Sequence, residues 1–283
     1  MSTFGNRILE GKSAYIAGGT RGMNLAIAKR FAAQGADVAV MSRSPDRCAG
    51  AAAEIEALGV RALGLPADAR NYDHVEATLK HAAETFGGLD IVVAGQAGNF
   101  YAPALGMSSK GFKTIIDIDL VGTFNVFRAA FEHLRKPGAS LMAITAPEAV
   151  KPLHFQAHVC AAKAGVNMLL KVLALEWGPA GVRVNGISPG PIEDSWGMMN
   201  VASPSQAMRD KITQAMPLRR WGKCADIADT ALFLASDAAS YITGTIIETD
   251  GGATIASPES GELDAVFDLS SDARVGNRKS SDD

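Results

Sequence analysis

Ala17-Gly18-Gly19-Thr20-Arg21-Gly22-Met23-Asn24-Leu25-Ala26-Ile27-Ala28 follows directly on the apolar run Ser13 to Ala17 and opens a helical pattern that continues to Gln34. Glycines permit a tight turn and let the backbone approach a ligand closely. A helix N-terminus offers unpaired N–H groups at the positive end of its dipole. A glycine-rich turn between a first strand and a first helix therefore reads as a pyrophosphate cradle, formed by Gly18, Thr20, Arg21, Gly22 and Met23. Three glycines alone would be an ordinary strand-to-helix turn, so the surrounding pattern has to decide.

That pattern is regular. Short apolar runs alternate with longer helical stretches: Asp37 to Met41 then Asp46 to Leu58, Arg61 to Leu65 then Asp73 to Phe86, Leu89 to Ala94 then a helix within Lys110 to Leu134. Ser140 to Thr145, a helix within Phe155 to Trp177, and Val182 to Ile187 continue it. Helices at Gln206 to Ala215 and Cys224 to Ala235 precede a last strand, Thr245 to Thr249. Runs such as Ile91-Val92-Val93-Ala94 lack apolar/polar alternation, as strands covered on both faces must. The expected fold is α/β: one Rossmann-type, doubly wound domain over residues 1–256 with a seven-stranded parallel sheet. The polar tail, 257–283, carries too little apolar surface to order itself alone and is expected to be disordered or ordered by a partner.

Of the 283 residues, 47% are hydrophobic and 20% charged, enough apolar material for a large core. A net charge of −3 provides no basic field for nucleic acid. The three cysteines, Cys48, Cys160 and Cys224, form no C-x-x-C pair, which argues against a disulfide framework or a metal site and fits a reducing cytoplasm. The N-terminus has no signal-type apolar segment, and no uninterrupted apolar stretch approaches the ~18 residues of a membrane span.

After the second strand, Ser42-Arg43 stands where an acidic residue would hold the ribose 2′-hydroxyl of NAD. A guanidinium there suits a 2′-phosphate, and Arg21 adds a second cation, so NADP(H) is the expected cofactor. Asp68-Ala69 and Ala94-Gly95, closing the third and fourth strands, would flank the adenine.

From about residue 8 to 256 the chain resembles the short-chain dehydrogenase/reductase family. The Gly18 turn, Asp68-Ala69, Val184-Asn185-Gly186-Ile187-Ser188-Pro189-Gly190-Pro191-Ile192, Tyr241-Ile242-Thr243-Gly244 and Asp250-Gly251-Gly252 carry the resemblance. It implies that Lys163 grips the nicotinamide ribose and that Pro189, Gly190 and Ile192 line the cofactor. It also exposes departures. Val159 stands four residues before Lys163 where the family usually has tyrosine, Ala146 stands at the usual serine, Asp119 at the usual asparagine, and Asn24 at the third glycine of the turn. Asn24 is expected to crowd the helix start and lower cofactor affinity.

One branch of that family, the peroxisomal-type 2,4-dienoyl-CoA reductases, is similar along Gln96-Ala97-Gly98-Asn99-Phe100, Phe112 to Asp119, Gly122-Thr123-Phe124-Asn125-Val126, Ile144-Thr145-Ala146, His158 and Glu176-Trp177-Gly178-Pro179. The resemblance implies hydride from NADPH to the δ-carbon of a conjugated acyl-CoA, then protonation of a dienolate at the α-carbon. In that setting Lys163 stabilises the anion, Asp119 anchors Lys163 or relays a proton, and His158 is a candidate donor. Glu148 is a second candidate, useful only if burial raises its pKa. Asn99 and Phe100 are expected against the substrate, Trp196 with Met198 and Met199 in a lid, and Lys110, Arg219 and Arg220 near CoA phosphates. An atypical reductase of a non-CoA, perhaps cyclic, enone or ketone, and a catalytically inactive nucleotide-binding protein, remain open. The face Ala157, Ala161, Ala164 and Met168 allows close helix approach, and a homotetramer is expected.

Overall fold

A computed structural model of the chain describes residues 7–193, 195, 205–256, 267–268 and 277–278. Seven parallel strands form one sheet: β1 (Ser13–Ala17), β2 (Asp37–Ser42), β3 (Ala62–Pro66), β4 (Ile91–Ala94), β5 (Ser140–Ile144), β6 (Arg183–Pro189) and β7 (Ile246–Thr249), in the order β3-β2-β1-β4-β5-β6-β7. The expected strand at Leu89 starts two residues later, Leu89 making only an isolated bridge to Leu134. Phe267–Asp268 pairs antiparallel with Asn277–Arg278 in the tail.

The strands alternate sides with period two, and both sides are buried. Tyr15 and Ala17 of β1, Val92 and Ala94 of β4, and Leu141 and Ala143 of β5 enter one apolar cluster, while Ala14, Ile16, Ile91, Val93 and Met142 enter the other. The first cluster lies under α3 (Tyr72–Phe86), α5 (Gly122–Ala130) and α6 (Ala157–Trp177). The second lies under α1 (Gly22–Ala33), α2 (Pro45–Glu56) and α8 (Cys224–Ala235), which follows α7 (Gln206–Ala215). Two buried faces explain why strands such as Ile91–Ala94 are apolar throughout. The same covering explains α6. Its length and mean hydropathy of 1.4 would pass for a membrane span, but it turns Val166, Leu170 and Leu173 onto the sheet and Val159 and Ala162 onto Ile115.

Helix starts follow local chemistry. Ser44 and Asn71 accept the backbone N–H groups of Arg47 and His74 at the starts of α2 and α3. The stretch expected as one helix is broken. Between α4 (Ser109–Ile115) and α5 runs a π turn, Ile116–Val121, which buries Asp119. Thr123 Oγ1 donates to the Asp119 carbonyl at 2.6 Å, occupying an acceptor inside the widened turn. Such turns are rare in helices and concentrate at functional sites.

Candidate functional site

Strand order reverses between β1 and β4, and open α/β sheets bind ligands where the carboxyl ends of such strands part. The turn after β1 enters that crevice. Gly18 has φ +75°, and a Cβ there would lie 2.8 Å from the Gln96 nitrogen, so only glycine lets the turn lie against the end of β4. The helix that follows has no side-chain cap and no acidic residue in its first turn. Its first N–H groups therefore remain available to an anion, as a pyrophosphate requires. Thr20, Arg21, Gly22 and Met23 are half-buried or exposed along this opening.

Asn24 does not simply crowd the turn. Its Nδ2 donates to the Gly95 carbonyl at 2.7 Å, and Gly95 makes room, since a Cβ on it would overlap the Asn24 side chain. The amide thus ties α1 to the end of β4 across the crevice.

Farther along, Ser42 closes β2 and Arg43 projects into solvent. Asp68, with Ala69 after β3, holds an ion pair with Arg70. The Arg70 hydrogen bond keeps the Asp68 carboxyl below its ordinary range against partial burial, with Arg43 close enough to add to the effect. Arg43 and Asp68 therefore face one patch, at the expected adenosine end of the crevice. The Asn125 amide donates to the Ala69 carbonyl at 2.9 Å and fixes that edge.

At the other end, Lys163 and Asp119 form an ion pair of 3.2 Å with exposures of only 5% and 1%. Asp119 Oδ1 accepts the Gly98 N–H at 2.8 Å, and Lys163 Nζ donates to the Ile144 carbonyl at 3.0 Å. Four segments, the loop after β4, the π turn, the end of β5 and α6, thus converge on one buried charge pair. One ammonium N–H is engaged by the Ile144 carbonyl, and the contact with Asp119 Oδ2 is an ion pair and not a hydrogen bond, so donors remain for a ligand.

His158, one turn earlier on α6, is fully buried, and neither ring nitrogen has a hydrogen-bond partner among the described residues. The Phe100 ring lies against it, centroids 4.4 Å apart. Burial pushes the imidazole pKa down, with the Phe100 backbone and the Asp119 charge opposing, so the ring is neutral near pH 7. Val159 and Ala146 offer no hydroxyl; the neighbouring Thr145 hydroxyl is spent on Asn167 Oδ1 at 2.6 Å.

Lys163, Asp119, His158 and Phe100 are brought together, Gly18 and Gly22 are half-buried and exposed in the adjoining turn, and Ala94 and Gly95, expected at the adenine, are buried beneath it. Glu148 is half-buried in the turn Pro147–Ala149, and its charge adds to burial in raising the pKa of the Tyr101 hydroxyl. Pro189 ends β6, Gly190 lies against the Asp250 backbone, and Ile192 bridges to Gly222. Asn99 is exposed at the mouth. Arg220, expected near CoA phosphates, is held by Asp226 at 2.9 Å. Trp196, Met198 and Met199 lie outside the described residues. Sequence reasoning missed Tyr101 and Gln156, because nothing in a local pattern marks a glutamine before a helix as buried.

A family model described as Enoyl-(Acyl carrier protein) reductase matches residues 17–254. The chain is 39% identical over 253 residues to a peroxisomal 2,4-dienoyl-CoA reductase [(3E)-enoyl-CoA-producing] of Pongo abelii, covering 89% of this chain and 86% of that protein. To the peroxisomal 2,4-dienoyl-CoA reductase of Arabidopsis thaliana it is 38% identical, covering 95% and 93%. Among solved structures, a putative short-chain alcohol dehydrogenase of Sinorhizobium meliloti superposes with a TM-score of 0.84 at 31% identity, covering 88% of this chain and 98% of that one. A short-chain dehydrogenase of Burkholderia cenocepacia in complex with NADP superposes with a TM-score of 0.80 at 31% identity, covering 88% and 99%.

Proposed function

The chain belongs to the short-chain dehydrogenase/reductase family, and from that premise we propose that it is an NADPH-dependent reductase of a conjugated enoyl or dienoyl thioester, with an acyl-CoA as substrate. The observation that carries this reading is a cofactor crevice and a buried Lys163–Asp119 pair beside Ala146 and Val159, apolar where the family's usual serine and tyrosine would stand. A ketone needs a proton at its reacting oxygen, and a placed acid is worth ~10²- to 10⁴-fold. A conjugated dienoyl thioester takes its hydride at the δ-carbon, an enoyl thioester at the β-carbon, and either shifts charge to an oxygen that hydrogen bonds can hold. The names of the two peroxisomal relatives point the same way.

When bound, NADPH supplies the hydride. The turn Gly18 to Met23 holds the pyrophosphate, Arg43 and Arg21 the 2′-phosphate, Ser42 the neighbouring ribose, and Asp68, Ala69, Ala94 and Gly95 the adenine. Pro189, Gly190 and Ile192 line the nicotinamide end. Lys163 gives a free N–H to the nicotinamide ribose and places positive charge near the developing anion, with Asp119 fixing its position. Neutral His158 donates an N–H to the thioester oxygen as the dienolate forms; a neutral imidazole is a competent electrophile. Phe100 covers His158 and excludes water, and Asn99 meets the acyl chain. The α-carbon then takes a proton, leaving a 3-enoyl thioester.

Ala157, Ala161, Ala164 and Met168 are all exposed along α6, beside Val172 and Leu175, and this stripe supports a homotetramer that light scattering would test. The reaction is tested by following NADPH absorbance with a series of dienoyl-CoA thioesters. Consumption with release of a 3-enoyl-CoA is expected. No consumption, together with turnover of a cyclic enone or ketone, would overturn the substrate assignment, and no NADPH binding by calorimetry would overturn the enzyme reading.

A further inference from the structure

The loop after β4 meets the π turn at a second point that the reaction does not use. Gly98 N–H donates to the Asp119 carboxylate, and two residues earlier Gln96 Nε2 donates to Thr123 Oγ1 at 3.2 Å. Thr123 is 3% exposed and gives its one hydroxyl hydrogen to the Asp119 carbonyl at 2.6 Å. Toward Gln96 that oxygen can only accept, so the amide must present its nitrogen there. The amide oxygen is then left buried, with no partner among the described residues. A methionine would fill much the same space without stranding an oxygen, so the amide is kept at a cost for the bond its nitrogen makes.

That bond bears on the geometry of the charge pair. Gly122 N–H reaches the Asp117 carbonyl, five residues back, as a π turn requires. The Thr123 hydroxyl takes the Asp119 carbonyl, four residues back, and a hydroxyl in that place competes with the backbone ladder and bends a helix. Removing the extra residue of the turn would rotate Asp119 by about 100° against α5 and carry its carboxylate off Lys163. Gln96 holds this arrangement from the side. A Cβ on Gly122 would lie 3.3 Å from Gln96 Nε2, and one on Gly18 would lie 2.8 Å from the Gln96 backbone nitrogen. The residue therefore touches the π turn with its side chain and the pyrophosphate turn with its main chain. We propose that Gln96 is a positioning residue: through the Thr123 hydroxyl it locks the π turn that sets the Asp119 carboxylate against Lys163.

The test reads hydrogen exchange of the apoprotein at the Gly98 amide, whose acceptor is the Asp119 carboxylate, against the amides of Val92 and Val93 in the core of β4. Q96M and T123V are expected to lower Gly98 protection about tenfold, the effect of one hydrogen bond, with the β4 amides unchanged, and T123S to keep it. On the reductase reading, on which the catalytic consequence rests, both variants lower kcat for a dienoyl thioester about tenfold with its KM little changed. T123S keeps the wild-type rate, and Q96M/T123V is no slower than the slower single variant, because the two side chains act through one bond. Gly98 protection unchanged in Q96M, a loss that the β4 amides share, or T123S as impaired as T123V overturns the proposal. A wild type that reduces no dienoyl thioester sinks the reaction assignment, while the exchange ratios still decide what Gln96 does. Q96A only shortens a partly exposed side chain and takes the place of Q96M should that variant fail to fold.

Discussion

Removing the Asp119 carboxylate should destabilise the apoprotein far more than removing both charges of its pair. Asp119 and Lys163 are 1% and 5% exposed and 3.2 Å apart. In D119L the ammonium stays buried with only the Ile144 carbonyl, and the Gly98 N–H loses its acceptor. Breaking one side of a buried pair typically costs about 3–5 kcal/mol. For a domain of this size each kcal/mol moves Tm by roughly 2–4 °C, so a fall of roughly 6–20 °C is expected. In D119L/K163M no charge is stranded, and apolar replacement of a buried pair is often near neutral. What remains is chiefly the unpaired Gly98 N–H, about 1–3 kcal/mol. The double variant should therefore melt above D119L, with a coupling of about 2 kcal/mol. Thermal and urea unfolding of the apoprotein at one pH would measure it. Since each variant is expected to lose turnover, stability is the readout that separates anchoring from chemistry. A double variant as unstable as the sum of the two single ones would refute the reasoning.

His158 should give the apoprotein a pH dependence. Burial lowers its native pKa from the ordinary 6.5, so the unfolded chain binds the proton first as pH falls. Stability is full above about 6.5 and declines as pH drops toward the lower native value, a loss that H158F should abolish in melts at pH 7.5 and 5.5; parallel curves would contradict it. Arg43 should select the cofactor: R43A is expected to weaken NADPH about tenfold while leaving NADH little changed, read as separate Kd values, because an exposed charge-assisted contact is worth only part of a buried one. Asn24 should matter through its bond to Gly95. N24G loses that hydrogen bond and adds a helical glycine, together about 2 kcal/mol, and should lower both Tm and NADPH affinity; an increase in affinity would restore crowding as the better account.

The seven strands, the helices over both faces and the glycine turn of the crevice were legible along the chain. Each rests on a local property: apolar runs of strand length, helical periodicity, and glycines placed between a strand and a helix. The seven strands begin and end within two residues of where those patterns place them. The break in the long helix was not legible. Ile116-Asp117-Ile118-Asp119-Leu120 fits an α-helix as well as a π turn, and the close approach of Gly122 to Ala69 and Gln96 beside it is a long-range contact that no local pattern reports. The polar residues divide in the same way. The resemblance pointed to Lys163, Asp119 and His158, but only the tertiary structure pairs the first two, leaves the third dry beneath Phe100, and buries Gln156. Whether a polar side chain is exposed, paired or stranded depends on segments 19 to 44 residues away in sequence, such as those joining Gly98, Asp119, Ile144 and Lys163. A chain's local pattern fixes which face of an element is apolar. Long-range packing alone fixes what a polar group meets there, and in this protein that is where the chemistry lies.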